Sequence, residues 1–139
     1  MTYEAAHNAI RTRFNTQWGS TTTVAWPNVN FDPPNNAAWV RFVIQDIDSA
    51  QVSYGDPLNN NDRYRHIGRV VIQIFTLKGQ GDKEARELAD TATAIFRKWS
   101  DTASGVLFRL APFVRDVTED DSKWFQINVE CPFLRDSYF

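Results

Sequence analysis

The chain has 139 residues, the size of one ordinary domain, and its 42% hydrophobic and 14% aromatic content is enough for a substantial core. A net charge of -2 argues against a polyanion binder, which carries clustered positive charge. No apolar run approaches the ~18 residues of a membrane span, the start of the chain lacks the basic-then-apolar pattern of a signal peptide, and the single cysteine, Cys131, leaves no internal disulfide to form, so the sequence reads as a soluble protein used without oxidative stapling.

The first predicted element is a helix over "TYEAAHNAIRTRFNTQW". Thr2 is placed to cap it, Glu4 suits the positive end of the helix dipole, and Ala6, Ile10 and Phe14 recur at every fourth position on one stripe. Gly19 and the "GSTTT" run end it. "TTVAW" is a short strand leading into the proline segment "WPNVNFDPPNN". "AAWVRFVIQDI" is a strong strand with Val40, Phe42 and Ile44 on one face and Trp39, Arg41, Val43 and Gln45 on the other.

Asp48 to Arg65 reads as a long loop or hairpin tip, given "NNND" and Asp56-Pro57. "HIGRVVIQIFTL" is the second long strand. "DKEARELADTATAIFRKWS" is the clearest helix, with Ala85, Leu88, Ala89, Ala92, Ile95, Phe96 and Trp99 in one stripe, Asp82 as N-cap, and Arg97 and Lys98 at its C-terminal end. "GVLFRL", "FVRDVT" and "KWFQINVECPF" are strands, and the acidic "EDDS" between the last two is a hairpin turn. Strands neighbour strands instead of alternating with helices. The expectation is therefore an α+β fold: a single domain over residues 1–139 with a mostly antiparallel or mixed sheet and two helices packed on one face.

Candidate chemistry is thin. His7 and His66 have no second histidine or cysteine at zinc-ligand spacing. Cys131 runs in phase with Phe125, Ile127 and Val129, so it reads as a small buried hydrophobe and not a nucleophile. Asp46 with Asp48, and Glu119 to Asp121, are carboxylate groupings that fit solvated turns better than acid-base work. "GQGD" lacks the GxxxxGK[ST] spacing of a phosphate loop. Arg63, Arg65 and Arg69 form a small basic group diluted by Asp56 and Asp62, so no sequence-specific nucleic-acid site is expected. No catalytic residue, cofactor or metal follows from these patterns. The aromatic content stands out instead: Trp26, Trp39 and Trp124 fall outside the main core stripes, and exposed aromatics mark interfaces.

In order along the chain, "YEAAHNAIRTRF", "VAWPNVNFDPP", "WVRFVI", "IGRVVIQIFTLKGQG", "ARELADTATAIFR" and "GVLFR…WFQINVECPF" resemble the phage tail terminator-like family over nearly the whole sequence. The resemblance implies a structural virion protein and not an enzyme. It implies a homo-oligomeric ring, a hexamer, on the head-proximal end of the tail tube, assembled in the host cytoplasm. Such a ring stops tube growth and offers a surface to a head-completion or connector protein, with DNA passing through it and no membrane involved. On that reading the subunit or tube interface draws on Trp26, Asn28, Asn30, Pro33 and Pro34 of the proline segment. It also draws on Tyr54, Asn60, Arg63 and Arg65 of the long loop, Asp120 of the acidic turn, and Trp124. Within the proline segment, Trp26 and Phe31 are expected to pack inside the subunit, leaving Asn28, Asn30 and the Pro33–Asn36 tip toward a neighbour. The alternatives are another neck or head-closure component, or a module that stacks a sugar on Trp26, Trp39 or Trp124.

Overall fold

Ala6, Ile10, Phe14 and Trp18 are all buried, so the apolar stripe runs the full length of helix α1, Tyr3–Trp18. Gly19, at φ 58°, closes the helix by donating its N–H to the Asn15 carbonyl at 3.0 Å, a left-handed position that glycine adopts without a Cβ penalty. The computed structural model describes residues 3–53, 62–117 and 123–138. The expected cap Thr2 lies outside them.

After β1 (Thr23–Ala25) and the proline segment come two long strands, β2 (Trp39–Gln51) and β3 (Arg63–Leu77). Helix α2 (Lys83–Phe96) follows, then β4 (Ser100–Asp101), β5 (Val106–Leu107), β6 (Phe113–Asp116) and the 15-residue β7 (Trp124–Tyr138). The sheet among the described residues has seven strands, in the order β1-β2-β3-β7-β5-β4, with β6 also paired to β7. It is a mixed, curled sheet: β1 runs parallel to β2, and the other pairings are antiparallel.

Two stretches expected in the long loop are strand instead. β2 continues through Asp48–Gln51 and β3 begins at Arg63, because the ladder carries on past a bulge between Asp46 and Asp48. Those residues alternate no apolar side chains; backbone pairing and cross-strand polar contacts, Ser49 to His66 and Arg63 and Arg65 to Asp136, hold them extended, so the sequence pattern is silent there.

Register rows define the core. Val40, Ile74 and Ile127 lie side by side, as do Phe42, Ile72 and Val129, and Ile44, Val70 and Cys131. These rows and the stripes of both helices belong to one buried cluster. Phe14 is its hub, with ring centroids 4.7 Å from Phe42, 5.3 Å from Trp18 and 6.5 Å from Phe96. Arg13 of α1 donates to the Ile95 carbonyl at 3.1 Å and lies over the Trp99 ring, tying the two helices together near the end of α2, where carbonyls lack intrahelical donors.

Asp82 occupies the N-cap position of α2 but makes no side-chain capping bond. Its carbonyl accepts the Arg86 N–H at 2.9 Å and its carboxylate reaches the Arg86 side chain at 3.4 Å. Arg97 and Lys98 lie just past the helix: Arg97 is extended and Lys98 turns the chain at φ 58°.

Pro132 sits mid-strand in β7, where a missing N–H would ordinarily break a ladder. Val117 donates to Gln126, and Asp136 donates to Gly105, so the even-numbered residues of β7 point toward the β5/β6 side. On that side β6 pairs with residues 127–130 and β5 with 134–135. Pro132 falls in the gap between them, where no ladder bond is lost.

Candidate assembly surfaces

The sheet surface bearing Trp39, Arg41 and Val43 carries its own, smaller aromatic cluster. Trp39 stacks on Phe75 across the β2–β3 ladder at 4.1 Å and 10°, meets Phe31 of the proline segment at 5.2 Å, and takes Trp124 edge-on at 6.0 Å and 85°. Trp39 is buried, and its indole Nε1 has no hydrogen-bond partner among the described residues. Lys123 lies over the Trp124 ring at 5.3 Å.

Trp26 belongs to the other packing layer. It is half-buried against Phe42 at 5.4 Å and Phe14 at 5.9 Å, and its outer side borders a groove of about 470 Å³ that also contacts Arg11 and Val29. Trp26, Trp39 and Trp124 therefore share neither a plane nor a packing layer, which is not the flat platform that stacks a sugar.

Between these anchors the proline segment turns outward. Asn28 adopts φ 56°, which an asparagine tolerates, and Val29 donates back to the Trp26 carbonyl at 3.3 Å. Asn28, Val29, Asn30 and Pro33 are exposed, and Pro34 is half-buried. The segment is thus pinned at Trp26 and Phe31 with its polar residues outermost.

Arg63 and Arg65 are committed within the chain. Both grip Asp136 of β7: Arg63 through Nη2 at 2.7 Å and Nε at 3.1 Å, and Arg65 through Nε at 3.1 Å. Burial pushes the Asp136 carboxyl upward, but the hydrogen bonds and charges of Arg65 and Arg63 outweigh it and hold the group below the ordinary carboxylate range. The expected interface residues Tyr54, Asn60 and Asp120 lie outside the described residues.

Sequence reasoning did not find the polar network that crosses this side of the sheet. Gln45 of β2 accepts from Arg69 Nε of β3 at 2.7 Å, Arg69 Nη1 donates to buried Glu130 of β7, and Arg115 of β6 reaches the other Glu130 oxygen at 3.4 Å. One acid in the apolar run "INVECPF" is the signal that could have found it. A second polar group links α1 to the strands: Tyr3 donates to Asp46 at 2.5 Å, and His7 lies 3.2 Å from the same oxygen. His66 sits between the Ser49 hydroxyl at 2.7 Å and the Ser137 hydroxyl at 3.0 Å. Burial, and then the nearby Arg135 charge, push the His66 pKa down. Cys131 is buried, and burial pushes its thiol up to about 12, which keeps it a thiol inside the core.

Two helices on a mixed, curled sheet, with arginines bound to buried or half-buried acids and aromatics pinning an extended polar segment, define a small α+β domain. The chain belongs to the phage tail terminator protein family, whose model matches residues 5–133. The family is one of structural tail proteins, so the chain is a virion tail component that interacts with other tail proteins. A solved structure that carries no functional name shares the fold, with a TM-score of 0.56 at 19% identity over 96% of this chain and 95% of the other. A search of curated protein sequences finds no match.

Proposed function

We propose that this chain terminates a phage tail tube. Copies assemble as a homo-oligomeric ring, sixfold by analogy with its family role, on the head-proximal end of the tube. The ring blocks addition of further tube subunits and offers its opposite surface to the head-completion protein, and DNA passes through its lumen. The family match over residues 5–133 carries this reading. The chain acts by shape and surface complementarity, with no chemical step: a terminator matches the tube tip on one side and mismatches it on the other. We read residues 1–139 as one domain, with both helices on the same side of the sheet, and we place assembly in the host cytoplasm.

The test is the mass of the purified protein in solution, with negative-stain images of the protein alone and mixed with tail tubes. Rings at one end of each tube are the expected result. A protein that stays monomeric and leaves tube ends bare would overturn the proposal, and rings that bind head connectors but never tubes would favour a neck component instead.

A further inference from the structure

Four strands, β1, β2, β4 and β6, have a side with no ladder neighbour among the described residues, and of these β2 and β6 carry large exposed apolar side chains. β1 covers only Trp39–Arg41 of β2, so from Phe42 onward the outer side of β2 is open. On the opposite side of the strand order, β6 pairs with β7 alone. The Val117–Gln126 bond sets the alternation along β6: Phe113 and Arg115 face β7, and Val114 turns its N–H and C=O outward. An open edge is a template for another strand unless it is blunted.

The two edges are complementary in side chains as well. On β2 the bulge presents Ile47, 59% exposed, between Asp46 and Asp48. On β6, Phe113 and Val114 are each 42% exposed and are followed by Arg115. Asp46 is held by Tyr3 and His7, so Asp48 is the acid that faces outward; in the single chain it accepts the Ser49 N–H at 2.8 Å and so covers part of the edge. Pairing β2 with its own copy would set acids against acids, whereas β6 meets it with an apolar pair, one acid, Asp116, and the Arg115 guanidinium, which stays 59% exposed while it contacts Glu130 at 3.4 Å.

We propose that the outer edge of β6 in one copy seats against the outer edge of β2 in a second copy, with Val114 on Ile47 and Arg115 toward Asp48. The two edges lie on opposite sides of one subunit, so the contact is heterologous and repeats head to tail until it closes. This deepens the ring reading and rests on it.

The test uses Ile47→Cys and Val114→Cys, both at exposed positions, with the buried Cys131 left in place. Cross-strand neighbours fall within the Cα separation a disulfide spans. Under mild oxidation, with and without tail tubes, the chain carrying both cysteines should give a ladder of covalent oligomers, a mixture of the two single variants should stop at dimers, and each single variant alone should give none. Asp48→Arg in the double-cysteine chain should lower the ladder yield several-fold. A dimer from Val114→Cys alone would show two-fold β6 pairing and overturn the proposal. No ladder from a protein that still rings and caps tubes would overturn this contact and leave the tube-capping reading standing. No ladder from a monomer that caps nothing would remove both.

Discussion

Gly68 of β3 lies directly opposite Phe133 of β7, and a methyl group on Gly68 would sit 2.6 Å from Phe133 Cζ and 2.8 Å from the Gln45 carbonyl oxygen. The Phe133 ring is held over that spot by its contact with Phe108, 5.4 Å away. The glycine is needed for space, since its backbone is not in the left-handed region. Gly68→Ala is expected to destabilise the fold by about 1–3 kcal/mol through overpacking, read as a shift in the urea midpoint. Adding Phe133→Leu should return part of the loss, because the ring clash goes and the carbonyl clash stays. Strictly additive losses in the double variant would show that the ring is not the obstacle.

The Glu130 network should respond unequally to its parts. Glu130 has a side chain only 5% exposed and is held by two arginines that reach solvent, Arg69 at 36% and Arg115 at 59%. Removing Arg115 leaves Glu130 with Arg69, so Arg115→Ala should cost under about 1 kcal/mol. Arg69→Met strips the nearer partner from a buried acid and should cost about 3 kcal/mol or more. Urea unfolding of the two variants checks the order. Equal losses would mean that the 3.4 Å contact carries as much as the shorter one.

Acid should weaken the fold in two separate windows. His66 has its pKa pushed down in the folded state, by burial first and Arg135 second. The unfolded chain therefore takes up a proton that the folded chain resists, so stability falls as pH drops below the ordinary histidine value of about 6.5. Asp136 also has a lowered folded value, through Arg65 and Arg63. Its contribution is fully present above the ordinary carboxylate value of about 3.9 and is lost as pH falls below it. His66→Asn should flatten the stability profile between pH 7 and 5, and Arg65→Met should flatten only the acid limb. A pH 7 to 5 slope unchanged by His66→Asn would assign that window to another group.

The apolar frame was legible because it is periodic. The stripe through Ala6, Ile10 and Phe14, the stripe of α2, and the alternation in "WVRFVI" and "GRVVIQIF" each report one buried face, and those faces meet in one cluster. What is not periodic stayed hidden. Asp48–Gln51 are strand because they pair with Tyr64–Ile67 of β3, and Arg63–Arg65 because they pair with β7. Arg63 and Arg65 looked free for a partner because their acid, Asp136, lies 73 and 71 residues away. Of the three tryptophans that fall outside the main core stripes, Trp39 is buried because a strand neighbour, Phe75, and the proline segment cover it. Single-strand spacing cannot report cross-strand partners of this kind.

The proline segment separates anchoring from contact, and substitutions can tell the two apart. Trp26 packs on Phe14 and Phe42, so Trp26→Ala should cost several kcal/mol, toward the low end of the ~3–5 kcal/mol seen for deleting a large aromatic, since the ring is only half-buried. Asn28 is left-handed, so Asn28→Ala should cost about 1 kcal/mol and Asn28→Gly almost nothing. Val29 is 60% exposed and only its backbone is used, so Val29→Ser should leave the urea midpoint in place. If this outer turn meets a neighbouring copy or the tube, Val29→Ser should still weaken ring assembly or tube capping, measured by sedimentation and by counting capped tube ends. Unchanged assembly with an unchanged midpoint would take Val29 and its turn out of the interface and leave the segment as a brace between α1 and the Trp39 cluster.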